Sequence, residues 1–361
     1  RRLPALGFGC SNNIRKEHVL TALRLGYRHF DTAQAYDWAY YEEDVGDAVA
    51  ESGVLRESLH LQTKIHPKDL GYEPTLRAFK DSLRRLRTDY VDSLLIHKPW
   101  CFPGACPPGT PLGTWPESWK ALEELYDSGA VRAIGISDAD DRILDALATQ
   151  RIPAHLVQNR MDPFHQDAHV RARCRELGIQ YQAYSSLGTT YVYFLGWRDL
   201  GNPVMADPTL RRIAAESGCT VAQVVLQWSL LEGVAVIPSA KRPENQRANI
   251  GAASCRLTPR HVEEIRRLDG LLAEGPLVVN VTLESDAAGF VDVASYDPED
   301  GTETWLGIIA AGLPLTHRAA HGSRLRFYGD RRILDEHVVD CTRGHQQRHH
   351  LSRCIPTMWE T

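Results

Sequence analysis

Over its first 250 residues the chain alternates short apolar, β-branched runs with segments of helical period. A sequence written this way predicts a parallel sheet wrapped by helices, since each crossover helix must bury its apolar stripe on the strands it joins. The β-type runs fall at residues 27–31, 59–64, 91–97, 131–137, 155–158, 179–184 and 234–238. Several are unbroken or nearly so, such as Val234-Ala235-Val236-Ile237, as suits strands buried on both faces. Seven strands can be read and an eighth cannot be separated. Periodicity therefore leaves a closed barrel and an open doubly wound sheet both standing.

Between the strands, Leu76, Phe79, Leu83 and Leu86 fall at helical spacing and form one stripe. Trp119, Leu122, Leu125 and Tyr126 form another, ended by Gly129 where a helix C-cap belongs. Residues 100–115 and 189–208 read as long loops, the second carrying Tyr191, Tyr193, Phe194 and Trp197. Both follow strand C-termini, the face of a barrel where sites form.

The texture changes near Leu272. From there to residue 340 no helical period holds, and short β-type runs alternate with turn signals such as Asp297-Pro298-Glu299-Asp300-Gly301. This predicts a first domain over residues 1–272, a small all-β, sandwich-like domain over 276–340 and a polar tail over 341–361. The tail's His345, His349 and His350 invite a metal reading, but a solvated tail accounts for them and no metal site is expected.

Three polar residues end buried runs where an apolar core would not place them: Asp31, Lys64 and His97, with Tyr36 in the loop after Asp31. A buried Asp and Lys are costly unless they pair. Paired at one mouth, Asp31 holds Lys64 charged, and Lys64 favours the ionised form of the Tyr36 phenol. Such a phenol can hand its proton to a carbonyl oxygen that is becoming an alkoxide, and His97 can orient that carbonyl. Trp38, Trp100, Phe164, Tyr191 and Trp197 are candidates for an apolar pocket around the substrate.

At these residues the chain resembles the aldo-keto reductases. Leu3 to Gly9 looks like that family's N-terminal hairpin, and Gly26 to Ala33 followed by Tyr36 looks like its first signature. Thr63-Lys64, Leu95-Ile96-His97, Gly135 to Asp138, Val157-Gln158, Ala183 to Gly188, Val236 to Pro238, and Pro243-Glu244 with Asn249 follow in the family's order. The resemblance implies a (β/α)8 TIM barrel and an NAD(P)H-dependent oxidoreductase that reduces an aldehyde or ketone. Asp31, Tyr36, Lys64 and His97 would be its catalytic tetrad, with Tyr36 as general acid. It also implies a nicotinamide stacked on Tyr184, a carboxamide held by Ser137, Asp138 and Gln158, and a pyrophosphate near Ser185 and Leu187.

Three departures stand out. Asp138 replaces the family's usual Asn, and a carboxylate cannot donate to an amide oxygen. About three extra residues separate Tyr36 from the helix start at Glu42, so Tyr40 and Tyr41 compete as the acid; the intact five-residue spacing from Asp31 favours Tyr36. Ser239 and Asn245 stand where the family's NADP-dependent members carry Lys and Arg, while Lys241, Arg242 and Arg247 lie close by. With Asn249 these residues are the expected adenosine contacts, and NADP is favoured over NAD.

The C-terminal stretch around Thr316 to Asp330 resembles the β-domain of the von Hippel–Lindau protein, a peptide-binding sandwich. A protein partner at that domain is the corresponding expectation, and a redox-sensing adaptor is the alternative to an enzyme. The net charge of −5 speaks against a general nucleic-acid or anionic-membrane binder, and no apolar run approaches the ~20 residues that span a bilayer. Eight scattered cysteines without a C-x-x-C read as free thiols of a reducing compartment, hence the cytoplasm. A chain opening on Arg1-Arg2 without Met is consistent with a leader lost from its start.

Overall fold

A computed structural model describes residues 3–101, 105–194 and 201–272, and beyond them seven strands between 278 and 351. The barrel strands are β1 (Phe8–Gly9), β2 (His29–Asp31), β3 (His60–Ile65), β4 (Ser93–Ile96), β5 (Ile134–Ser137), β6 (Leu156–Arg160), β7 (Gln180–Tyr184) and β8 (Ala235–Val236). They pair in chain order, every pair parallel. A parallel bridge from Leu6 to Val236 joins the last strand to the first. Gly7 N donates to Val236 O at 2.8 Å and Val236 N to Ala5 O at 2.8 Å, so the sheet has no free edge there. The segment expected as an N-terminal hairpin is thus the eighth stave of a closed (β/α)8 barrel. Two residues are too few to carry a pattern.

Helix ends follow local chemistry. Helix Trp115–Asp127 starts in a capping box between Thr114 and Glu117 and is closed by Gly129 at φ +77°. The helices that flank the first loop are α1 (Lys16–Arg24), α2 (Glu42–Ser52) and α3 (Tyr72–Leu86). The buried line of α3 is Thr75, Phe79, Ser82 and Leu86, with Leu76 and Leu83 on its flanks. Its small hydroxyls are buried because they are bonded: Ser82 Oγ donates to Glu42 Oε1 at 2.6 Å, and Thr75 Oγ1 to Ser118 Oγ at 2.9 Å. Helices α2 and α3 meet at Gly46, where a Cβ would stand 2.3 Å from Arg85 O. Only glycine fits that crossing.

Of the two expected loops, 189–208 holds the short helices Thr189–Phe194 and Pro203–Ala206. The cysteines depart from the expected free thiols: Cys101–Cys106 and Cys219–Cys255 are disulfides with Cα–Cα distances of 6.0 Å, while Cys10 and Cys174 are buried free thiols. No described helix is long and apolar enough to cross a membrane.

Residues 190–202 and 271–361 form a second compact unit. Its strands are β9 (Val278–Ser285), β10 (Val291–Tyr296), β11 (Glu303–Ile309), β12 (Leu315–Ala320), β13 (Arg324–Gly329), β14 (Arg332–Val338) and β15 (Gln346–Leu351). A four-stranded sheet runs β11-β10-β13-β14 and a three-stranded one β12-β9-β15. Val293, Leu325 and Phe327 are fully buried in the first. Strand β15 lies within the stretch expected as a polar tail, pairing in parallel with β9.

Candidate active site

Strand register brings the charged residues together. Asp31 is opposite Gln62 across β2 and β3, and Lys64 lies two residues further along β3, on the same inward face. Lys64 Nζ donates to Asp31 Oδ2 at 2.7 Å and to Thr32 O at 3.0 Å, with the lysine fully buried and Asp31 2% exposed. The other carboxylate oxygen accepts from Gln62 Nε2 at 2.6 Å and from Gln158 Nε2 at 3.1 Å. Gln182 Oε1 accepts from both glutamines at 2.7 Å. An ion pair this deep is tolerated because its lone pairs and protons are so fully used. Sequence reading passed over Gln62 and Gln182. Their signal was polarity at the inward period-two positions preceding Lys64 and Tyr184.

His97 follows β4 at the same end. Burial, then the charges of Lys64 and Lys98, hold its imidazole well below the ordinary histidine range, so it is neutral at pH 7. Its Nδ1 is buried without a hydrogen-bond partner. The Trp38 ring lies edge-on to it at 4.8 Å between centroids, which brings one expected pocket residue to the mouth.

The tyrosines of the loop after β2 do not sit as their spacing suggests. Tyr36 is 46% exposed and donates to Glu43 Oε2 at 2.5 Å, with the Arg85 guanidinium 5.5 Å from its ring centroid. It lines a cleft with Lys68, Asp69, Arg77 and Asp81, among residues of α3 and the turn before it. Partial burial, then the Glu43 carboxylate, push its phenol up to about 12, the reverse of what Lys64 was expected to do. Tyr41 donates to Asn13 Oδ1 at 3.0 Å under the Arg15 guanidinium. Tyr40 is the one beside the ion pair: Lys64 Nζ lies 5.1 Å from its ring centroid and the His97 ring 5.6 Å away. The extra residues explain the exchange. Tyr36–Trp38 form a 3-10 turn, Ala39 takes φ +59°, and Tyr40 N donates back to Ala35 O at 3.0 Å, returning the chain to the mouth.

The expected cofactor residues line the following strand ends. Ser137 Oγ donates to Gln158 O at 2.7 Å, and the Gln158 amide nitrogen is committed to Asp31 and Gln182. Asp138, at φ +57°, accepts from Tyr184 Oη at 2.8 Å and forms a close ion pair with Lys98. Burial, then Asp138, raise the Tyr184 phenol well above its ordinary value. Ser185 is left-handed at φ +54°, Leu187 is half-buried, and the neighbouring Ser186 Oγ is buried without a partner. Arg242 occupies the N-cap position of helix Pro243–Ile250 without a side-chain capping bond, with Lys241 and Asn245 exposed, Ser239 half-buried and Asn249 buried. Among the remaining pocket candidates, Trp100 is half exposed, Phe164 is buried, and Tyr191 is buried and belongs to the second compact unit. Trp197 lies outside the described residues.

The model of the aldo/keto reductase family matches residues 9–270. Methylglyoxal reductase DkgB of Escherichia coli O157:H7 is 34% identical over 274 residues, which span 74% of this chain and 93% of that protein. Glyoxal reductase of Bacillus subtilis is 33% identical over 279 residues, 76% of this chain and 92% of its own. Among solved structures, an aldo-keto reductase of Bombyx mori in complex with NADP superposes with a TM-score of 0.67 at 27% identity, covering 76% of this chain and 91% of the other. One from Brucella melitensis gives 0.63 at 33% identity, covering 74% and 96%. The family match ends at residue 270, before the C-terminal strands begin.

Proposed function

The chain belongs to the aldo/keto reductase family, and from that membership we propose that it reduces a small aldehyde or ketone to the alcohol with NADPH. The observation that carries the reading is the buried Lys64–Asp31 pair opening beside a neutral His97. Bound NADPH supplies the hydride, and the protein's own groups do the rest. His97, neutral and with a ring nitrogen unused by the protein, donates to the substrate oxygen and aims the carbonyl. Lys64 stabilises negative charge at that oxygen's proton donor, and Asp31 with the glutamines around it keeps the ammonium in place.

The residues present fit the dinucleotide. Ser186 Oγ, between Ser185 and Leu187, is a buried polar atom the protein leaves unsatisfied, as a dinucleotide contact would be. Lys241 and Arg242 stand at the head of helix Pro243–Ile250, and neither makes an ion pair among the described residues. Cations at a helix N-terminus suit the adenosine 2′-phosphate and favour NADP over NAD. Ser239, Asn245 and Asn249 flank them as neutral contacts.

The test is a fluorescence titration with NADPH and NADH, followed by a carbonyl panel at the cofactor absorbance. Methylglyoxal and glyoxal head the panel, because relatives are named for them. NADPH should bind about tenfold tighter than NADH, the worth of one charge-assisted hydrogen bond. No dinucleotide binding, or no turnover across the panel, ends the proposal.

A further inference from the structure

We propose that Tyr40, and not the motif tyrosine Tyr36, is the general acid of this chain. The inference rests on the carbonyl-reductase reading above and deepens it. Three phenols enter the loop between β2 and α2, and two are occupied elsewhere. Tyr36 Oη is bonded to Glu43, with Arg85 near its ring, and Tyr41 Oη is bonded to Asn13. A phenol bonded to a carboxylate has its proton held in place.

Tyr40 lies among the groups a proton donor here would need. It has the Lys64 ammonium 5.1 Å from its ring and the His97 imidazole edge-on at 5.6 Å. Its hydroxyl shares a hydrogen bond with Ser11, which follows β1 at the same barrel end. The groups that bear on it are Asp31, Cys10 and Asp138, whereas those bearing on Tyr36 are Glu43, Arg85 and Glu42. Tyr184, the expected nicotinamide platform, in turn feels Tyr40. One phenol belongs to the mouth and the other to the outer helices. Burial, then Asp31, raise the Tyr40 phenol above its ordinary value, so it arrives protonated at every working pH. Tyr40 is half-buried at this end of the barrel.

The step balances. The carbonyl carbon accepts a hydride from the bound cofactor, which is oxidised, and the C=O π pair moves to oxygen. That oxygen forms a bond to the Tyr40 proton as the phenol O–H breaks. The Lys64 ammonium, 5.1 Å from the ring centroid, offsets part of the resulting phenolate's charge, and solvent water returns the proton once the alcohol leaves.

The test compares Tyr40→Phe, Tyr36→Phe and Tyr41→Phe in the full chain, each with NADPH affinity and a thermal melt alongside. Tyr40→Phe should lose 10²-fold or more in kcat with NADPH affinity unchanged, while the other two stay within twofold. Tyr40→His, which restores a proton donor of lower pKa, should regain part of the rate with an optimum moved to lower pH; it keeps the test open should the Phe variant melt early. Loss on Tyr36→Phe with Tyr40→Phe active overturns the assignment alone. Absence of turnover in the unsubstituted chain overturns the parent reading with it.

Discussion

The strand ends of the barrel and the loop after β2 hold their polar side chains by different means. Asp31, Gln62 and Lys64 face inward because parallel ladders fix their direction, and a slip of one residue would turn each of them outward. The loop after β2 keeps ladder bonds to β3 only at Thr32 and Gln34, whose N–H groups donate to Gln62 O and Lys64 O. Its three tyrosines are interchangeable in composition, and the backbone path through the 3-10 turn and left-handed Ala39 brings Tyr40 to Lys64. Chemistry carried on strands is therefore set by topology, while chemistry carried on a loop is set by reach. Substitutions on the strands should be unforgiving, and changes in the loop should reassign roles.

The largest effect is expected on the strands. Lys64→Met should lower kcat by about 10³-fold and destabilise the fold by roughly 3–5 kcal/mol, since it leaves Asp31 charged and buried without its cation. Asp31→Asn with Lys64→Met should recover most of that stability and none of the rate, as read by thermal melts beside steady-state kinetics. A single variant that keeps its rate within tenfold would separate the ion pair from the chemistry.

The next effect also belongs to the strands. His29 on β2 is fully buried, its Nδ1 3.2 Å from Pro4 O and its Nε2 3.5 Å from Gln182 Nε2. The neutral ring donates to Pro4 and accepts from Gln182. Burial lowers its pKa from 6.5 to about 4. The unfolded chain takes up the proton first, so this contribution is whole above pH 6.5 and is lost as pH falls toward 4. The loss is on the order of 3 kcal/mol. Denaturant melts at pH 7 and pH 4 should differ by that much, and His29→Gln should flatten the difference. Equal pH dependence in the variant would move the effect to other buried groups, His97 first among them.

The same contrast sets what could be read before any coordinates. Seven staves and the three strand-end residues were legible, because a strand's period and a costly buried charge both leave marks in sequence. The eighth stave was not, since Phe8–Gly9 is two residues long and is defined by its neighbours' backbone. Strand β15 hid in a polar segment because its pairing with β9 is made by backbone groups, which composition does not report. Cys219 and Cys255 are 36 residues apart and meet only once the fold exists. Tyr36 keeps the motif spacing yet lies in the cleft by α3, because the residues that turn the loop come after it.

Shortening the loop tests that point directly, with an effect of about 10²-fold. Deleting residues 37–39 leaves Tyr36 five residues from Asp31 and removes the 3-10 turn and the left-handed Ala39 that carry Tyr40 inward. In the shortened chain Tyr36→Phe should become the damaging substitution and Tyr40→Phe the tolerated one, the reverse of the full-length pattern. An unchanged pattern would mean that helix α2, with Glu42 fixed by Thr63 and Ser82 at 2.6 Å, places the acid, and that loop length does not.

The smallest effect lies where strand and loop meet, at Asp138 just past β5. Its carboxylate is taken up by Lys98 and by Tyr184 Oη, two groups that flank the expected nicotinamide site. A carboxylate can only accept, so it serves the amide nitrogen of a carboxamide and repels its oxygen. Asn tolerates the left-handed backbone at φ +57° and adds a donor without changing size. Asp138→Asn should tighten NADPH binding by several-fold in the fluorescence titration, with little change in kcat. Weaker binding would show that the Lys98–Asp138 pair itself shapes the site, and that Tyr184 needs the carboxylate to hold its ring in place.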